Sequence, residues 1–524
     1  MDFNKLITLI QTVRFIRPSQ LFFQIYYKLK NKLFREQYNQ KCVKVNELKF
    51  KPFLNENENE KFNSESKSFK FLNLSKSFNE IDWNYSGYGK LWTYNLNYFD
   101  YLSQGNLSKE NGIKIMLDFC DNSIKIKDGF EPYPISLRGI NWIKFISKNN
   151  IQNEEINHRL YNDYLRLSNN LEYHIQANHL LENIFSLFFA AHYFNHKKWL
   201  IKSEKLIIKE LKEQILSDGA HYELSPMYHK IILTRILDAY NLATNNNIAS
   251  DKIKDLLKNT ARNMLSWLDA ISFKNGEIPL INDSSPEITS TNEDIFNYSQ
   301  SLGINYNKIN LKESGYRKYT NGKTEILLDV GQISPSYQPG HSHADNLNFL
   351  MNYDNSPVIV DTGISTYEKN YRRQLERSSS SHNVITINNK NSSDVWSGFR
   401  VGKRANTVIL LEKTNYIKAK HNGYRNLKAE ITRSLQVNDD EIIISEKIDN
   451  YHNKVEGVLH FHPNCKVELN NNQIVINNKI VISFETSKLK LTDFKFCLGF
   501  NKLIDSTKVL YTFSEEEILK INLK

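Results

Sequence analysis

The sequence predicts a helical half followed by a β half, and two observations carry that expectation. Before residue 310 apolar residues recur at three- and four-residue spacing, the period of a helix face. Beyond it the period drops to two, the period of a strand with one buried side. The chain has 524 residues, too many for one ordinary core, so two or three domains are expected. Hydrophobic residues make up 40% and aromatic residues 12%, which supplies material for packed cores.

Helical periodicity covers Ile113 to Ile124, Leu160 to Leu171, His179 to Phe194, Trp199 to Leu216, Ile231 to Leu242 and Ile253 to Ile271. Short connections such as Asn195 to Lys198 and Thr244 to Asn247 imply antiparallel helix pairs, hence a helical toroid or solenoid. Strand patterns cover Thr324 to Val330, Leu347 to Asn352, Val358 to Asp361, Val384 to Ile387, Thr407 to Leu411, Glu441 to Ile448 and Ile474 to Phe484. The turn signals Asn438 to Asp440 and Asn477-Asn478 punctuate them, which reads as an antiparallel sandwich. The polar, low-complexity residues 51–69 are expected to form a surface loop. The expected divisions are a basic amphipathic segment with a polar loop at 1–70, helices at 71–310 and the sandwich at 311–524.

The net charge of +10 favours an anionic partner: nucleic acid, a membrane face or an acidic polysaccharide. The sequence has no zinc-finger, RNA-recognition or helix-turn-helix signature, so no nucleic-acid partner is expected. Cys42, Cys120, Cys465 and Cys497 lie far apart and are expected to be free thiols. The N-terminus is a poor signal peptide, because Arg14, Arg17 and Pro18 break its apolar run. The expected location is the cytoplasm or the inner membrane face, with the periplasm left open. Residues 21–35 mix Phe, Tyr and Ile with Lys, and suit either peripheral membrane contact or an ordinary packed helix.

Four polar clusters can carry chemistry. In Gly340-His341-Ser342-His343-Ala344-Asp345, a strand would place His341, His343 and Asp345 on one face. Asp361 ends a strand, and His382 lies in a serine-rich run beside Asn383. His343, Asp361 and His382 together suit a divalent metal, zinc by donor type. In the helical half Asn178 and Glu182 lie one turn apart, and Ser225-Pro226 starts a helix with Tyr228 and His229 in its first turn.

Taken in order, these clusters resemble the heparinase II/III-like polysaccharide lyases, including forms found with bacterial surface-polysaccharide genes. The resemblance runs over residues 80–410. It includes Trp92 to Phe99, Pro132 to Arg138, the Asn178 helix, Ser225 to His229, Gly340 to Asp345 and Ser381-His382-Asn383. It implies an N-terminal incomplete (α/α) toroid and a C-terminal antiparallel β-sandwich. It also implies catalytic roles for Asn178, Tyr228 and His341, with Asn178 neutralising a uronate carboxylate and Tyr228 and His341 exchanging protons. Arg138, His179, Glu182, His229 and Arg373 are expected near the substrate, and a largely structural metal at His343, Asp361 and His382.

The implied reaction is β-elimination on an acidic, uronate-containing glycan. The C5 proton becomes removable only when the adjacent carboxylate charge is neutralised; a base then takes it and an acid protonates the leaving oxygen. Two other readings stay open on the sequence. One is a non-lytic glycan-binding or glycan-processing protein of surface-polysaccharide assembly. The other is a metal-dependent hydrolase using His341, His343 and Asp345.

Overall fold

The computed structural model describes residues 3–33, 38–42, 44–54, 60–439 and 441–523. Phe34 and Arg35 at the end of the basic segment, residues 55–59 of the polar stretch and the turn residue Asp440 lie outside them. Eleven helices precede the sandwich among the described residues: α1 (Phe3–Val13), α2 (Pro18–Leu33), α3 (Lys90–Tyr98), α4 (Lys109–Asn122), α5 (Pro132–Lys148), α6 (Glu154–Asn169), α7 (Ala177–Tyr193), α8 (Lys197–Gln214), α9 (Pro226–Asn245), α10 (Asp251–Ile271) and α11 (Asn292–Ser301). Helices α5, α7 and α9 pack on one another, and α6, α8 and α10 flank them. This inner-and-outer alternation follows from sequence. Helix α7 is buried along nearly its whole length, whereas α10 buries one stripe through Ile253, Leu257, Ala261, Met264 and Leu268.

The stretch expected as a surface loop is partly a sheet. Phe62–Asn63, Ser68–Phe71 and Leu74–Ser77 form an antiparallel meander that runs across residue 70. Its polar composition conceals two aromatic anchors: Phe62 and Phe69 are buried and stacked 4.6 Å apart in the helical core. Burying each such ring contributes roughly 1.5–3 kcal/mol, enough to order a short polar hairpin.

The last of these helices ends at Ser301 and the first sandwich strand begins at Tyr316. One layer is an eight-stranded antiparallel sheet that includes Thr407–Lys413, Glu441–Asp449 and Glu516–Leu523. The other consists of two four-stranded sheets, Tyr316 to Ile359 and a set containing Val455–His460 and Lys502–Phe513, joined through an Ile359–Phe461 bridge. Alternate residues of both layers, among them Ile326, Met351, Leu459, Ile431, Ile444 and Ile521, share one core. At the Asn477-Asn478 turn both residues have positive φ, 51° and 56°, as a two-residue hairpin requires.

A separate apolar cluster joins the halves. Trp267 and Ile271 of α10 meet Leu224, Ile281, Tyr316, Leu327 and Leu350. It sits directly beneath two loops, Leu224-Ser225 before α9 and Asn282 to Ser285, and so fixes their position relative to the sandwich.

Candidate active site

Asn178 is set by an unusual entry to α7. Gln176 and Ala177 both have positive φ, 66° and 53°, a conformation that costs on the order of 1–3 kcal/mol per non-glycine residue. Surrounding contacts hold it: Gln214 Nε2 donates to the Ala177 carbonyl at 3.2 Å, and Gln176 is bound by Arg17 and Ser19. The bend aims the Asn178 amide at Glu223, whose two carboxylate oxygens accept from Nδ2 at 3.0 and 2.9 Å. A carboxylate can only accept, so Glu223 fixes which way the amide points. Nδ2 also lies 3.5 Å from His341 Nε2, and the buried Oδ1 has no partner among the described residues.

Tyr228 occupies the first turn of α9. Ser225 caps that helix, its hydroxyl accepting from the Tyr228 amide at 3.2 Å, and Pro226 takes the first position. The same hydroxyl donates to the Asp283 carbonyl at 2.7 Å, tying the helix start to the Asn282 to Ser285 loop. The Tyr228 ring stacks on His341 with centroids 3.9 Å apart, and its hydroxyl is 3.3 Å from that of Tyr367. Burial, followed by Tyr367, Asp283 and Glu223, pushes the Tyr228 phenol well above its ordinary pKa, so it holds its proton.

Segment 340–345 forms turns rather than the expected strand. His341 and His343 nevertheless converge, because a carboxylate stands between them. Asp283 accepts from His341 Nδ1 at 2.8 Å and from His343 Nε2 at 2.8 Å. Arg373 grips the same carboxylate through two nitrogens at 2.5 and 2.7 Å. Burial works against the Asp283 charge, but Arg373 and the three side-chain hydrogen bonds hold its pKa well below the usual carboxylate range. An ionised Asp283 places the proton of neutral His341 on Nδ1 and leaves Nε2 with a lone pair, facing Asn178 and 3.7 Å from Glu223.

The structure thus brings Asn178, Tyr228 and His341 together from both halves of the chain. Most of the residues expected near the substrate are buried and engaged within the protein. Arg138 is fully buried in the helical core, bound to Asp163 at 2.7 Å and to the Gly129 carbonyl at 2.7 Å. Glu182 is buried and paired with Arg235 at 2.8 Å. His229 packs on Trp267 and bonds the Met264 carbonyl at 2.9 Å; burial lowers its pKa to about 3. Arg373 is spent on Asp283 and the Gly398 carbonyl. Only His179, beside Asn178, stays partly exposed, meeting the Tyr133 ring at 4.4 Å and Glu172 at 3.1 Å.

The expected metal set is altered as well. Asp361 is engaged at both oxygens: Oδ2 binds His382 Nδ1 at 2.7 Å and Asn348 at 2.8 Å, and Oδ1 accepts the Gly363 amide. It therefore orients His382. His343 and His382 lie 5.2 Å apart, centroid to centroid, and His343 Nδ1, His382 Nε2 and Asp345 Oδ2 are buried with no partner among the described residues. Among the described residues no group of three or more His, Cys, Asp or Glu is placed to hold a metal ion. Two orphaned imidazole nitrogens fit a borderline cation in donor type; a third ligand is not in place.

Asp283, Glu223 and Tyr367 are the residues the sequence reading missed. Glu223 lies two residues before the Ser225-Pro226 helix start and carries no local signal of its own. Asp283 follows the apolar run Ile278 to Ile281, and the polar Asn282-Asp283-Ser284-Ser285 there was its one local signal.

Fold and site define a two-domain protein with Asn178, Tyr228 and His341 gathered at the junction of a helical and a sandwich domain. Residues 135–307 match the sequence model of the heparinase II/III N-terminus and residues 304–523 that of the heparinase II/III-like C-terminal domain. The chain belongs to the heparinase II/III-like family. A heparin-sulfate lyase of Bacteroides stercoris is 24% identical over 314 residues, 52% of this chain and 45% of that protein. One of Pedobacter heparinus is 24% identical over 282 residues, 48% of this chain and 42% of that protein. The chain thus spans less than half the length of these relatives. A crystal structure of heparinase III superposes with a TM-score of 0.71 at 15% identity, covering 97% of this chain and 92% of that one.

Proposed function

We propose that this site performs β-elimination on an acidic, uronate-containing glycan. The observation that carries this reading is the convergence of a protonated tyrosine, an imidazole with a free nitrogen and an oriented amide: Tyr228, His341 and Asn178. For this the Asn178 Nδ2 has to turn from Glu223 and donate to the uronate carboxylate, stabilising the charge that develops as C5 loses its proton. His341 Nε2 takes that proton, the C4–O bond breaks as C4=C5 forms, and Tyr228 protonates the departing oxygen. Burial, Tyr367 and then the carboxylates of Asp283 and Glu223 all hold the proton on Tyr228, which supports the acid role for it and the base role for His341.

The net charge of +10 and the names of the relatives support a polyanionic substrate, with heparan-sulfate-type glycans and uronate-bearing surface polysaccharides as the first to test. Ultraviolet-absorbing, unsaturated products from a panel of such glycans test the reading. A divalent cation, zinc by donor type, is a separate proposal. His343 Nδ1 and His382 Nε2 would hold it, with Asp345 closing the set and Asp361 orienting His382. Its role would be structural, tying loop 341–345 to the sandwich, and the elimination needs no contribution from it.

A further inference from the structure

The two N-terminal helices, α1 and α2 with the turn between them, are used on one side only. Toward the protein, α2 presents Gln20, Phe23, Tyr27 and Lys30. Gln20 Nε2 donates to the Ile175 carbonyl at 3.3 Å, Phe23 stacks on Tyr173 at 4.6 Å, and Tyr27 donates to the Leu171 carbonyl at 2.7 Å. Lys30 reaches the Asn169 carbonyl at 3.1 Å. Helix α1 docks on the sandwich, where Trp396 donates to Thr12 at 3.1 Å. Arg17, between the helices, pairs with Glu213 at 2.6 Å and lies 3.5 Å from the Tyr337 ring centroid. The pair therefore rests on both domains, and α2 lies against the segment that leads directly into Asn178.

The opposite side is apolar and exposed. On α2, Phe22, Ile25, Leu29 and Leu33 are 61%, 60%, 53% and 69% exposed. They recur at three- and four-residue spacing, one continuous stripe about three turns long. Leu6, Leu9, Ile10 and Val13 of α1 are exposed as well. A contiguous apolar surface of this kind marks an interaction face. Its charge is one-sided: residues 3–33 hold Lys5, Arg14, Arg17, Lys28, Lys30 and Lys32 and no Asp or Glu. Lys28 and Lys32 are exposed on the same helix as the stripe. No helix among the described residues is long and apolar enough to cross a membrane.

We infer that the α1–α2 pair is an interfacial docking device for an anionic lipid surface. Bulky apolar side chains flanked by cations, with no acidic residue to repel phosphate headgroups, are what a helix lying in the membrane interface requires. Because α2 abuts the segment that leads into Asn178, docking holds that segment near the bilayer. This inference is independent of the lyase reading, and its failure would leave that reading unchanged.

Co-sedimentation of the full chain with vesicles tests it. The protein should pellet with phosphatidylcholine vesicles containing phosphatidylglycerol, stay in solution with phosphatidylcholine alone, and be released by salt. Lys28→Gln and Lys32→Gln should each weaken binding roughly fivefold, the fold-change corresponding to about 1 kcal/mol per basic residue. Phe22→Ser combined with Ile25→Ser should abolish pelleting while the melting temperature and any glycan activity stay unchanged. Equal recovery in the supernatant with both vesicle types would overturn the inference. So would a concentration-dependent dimer of the wild-type chain that the same serine substitutions dissolve, since a second copy would then cover the face.

Discussion

The imidazole of His341 and the phenol of Tyr228 are stacked, with centroids 3.9 Å apart and planes inclined by 29°. One is carried by a sandwich loop, the other by the first turn of α9. Their contact exists only while the two domains are held in register. It also places a hydrogen-bond donor beside an imidazole oriented through Nδ1 by Asp283, which is what removal of a proton and protonation of a neighbouring oxygen demand.

Tyr228→Phe keeps the ring and the stack and removes only the hydroxyl. With a glycan that the wild type cleaves, kcat should fall roughly 10²–10⁴-fold with KM little changed, as expected for loss of one proton-transfer group. Asn178→Ala removes the carboxylate-facing amide and should cost about 10²–10³-fold in kcat/KM. Steady-state kinetics distinguishes the two, and near-wild-type rates for both variants would remove the site assignment.

Asp283 is the hub that orients His341, and Arg373 is its counter-charge. Asp283→Asn leaves the buried guanidinium unpaired and should destabilise the fold by about 3–5 kcal/mol. Combining it with Arg373→Met removes the orphaned charge. The double variant should regain most of the lost melting temperature but not the activity, and the pH profile of any residual rate should shift. Recovery of activity together with stability would mean that His341 does not depend on Asp283.

How far this site could be read in the sequence depended on the kind of signal each residue leaves. Helices and strands were legible because burial imposes periods of 3.6 and 2, and the observed bounds of α10 and of Thr324–Asp329 sit within two residues of the periodic runs. Asn178, Tyr228 and His341 were legible through resemblance. Asp283 and Glu223 were not, because they meet their partners across 58 and 45 positions of chain, and no local spacing encodes such contacts. Arg138 and Arg373 misled for a related reason. An arginine near a motif looks available for an anion, and only the fold reveals that Asp163 and Asp283 already occupy them. Phe62 and Phe69 were hidden by polar neighbours.

The proposed cation predicts stoichiometric zinc in the purified protein by elemental analysis. Chelation should lower the melting temperature yet leave activity measurable below the new transition, and His382→Ala should lose the metal. Metal-free protein with an unchanged melting temperature would contradict the proposal.

Stability should fall in mild acid. His192 and His221 are held neutral by burial with pKa values of about 4, and His229 and His421 with values of about 3. A histidine whose folded pKa lies below its unfolded value of about 6.5 stabilises the fold fully above that value. It loses that contribution as pH drops toward the folded pKa, at about 1.4 kcal/mol per pH unit per group. His179, through Glu172, and His382, through Asp361, are raised against the opposing effect of burial and act in the opposite direction. His460, held well below the ordinary histidine range by burial, adds to the four. Urea unfolding followed from pH 7 to about pH 4.5 should show a steady decline, and a flat profile would contradict the neutral buried state of these rings.

Elimination and hydrolysis leave different chemical records, and one measurement reads both. The protein is incubated with uronate-containing glycans in water enriched in heavy oxygen, and the products are followed by ultraviolet absorbance and mass spectrometry. Cleavage by Asn178, Tyr228 and His341 predicts absorbing, unsaturated uronate ends and no solvent oxygen at the cleaved bond. Products carrying solvent oxygen and lacking the absorbing end would contradict the account.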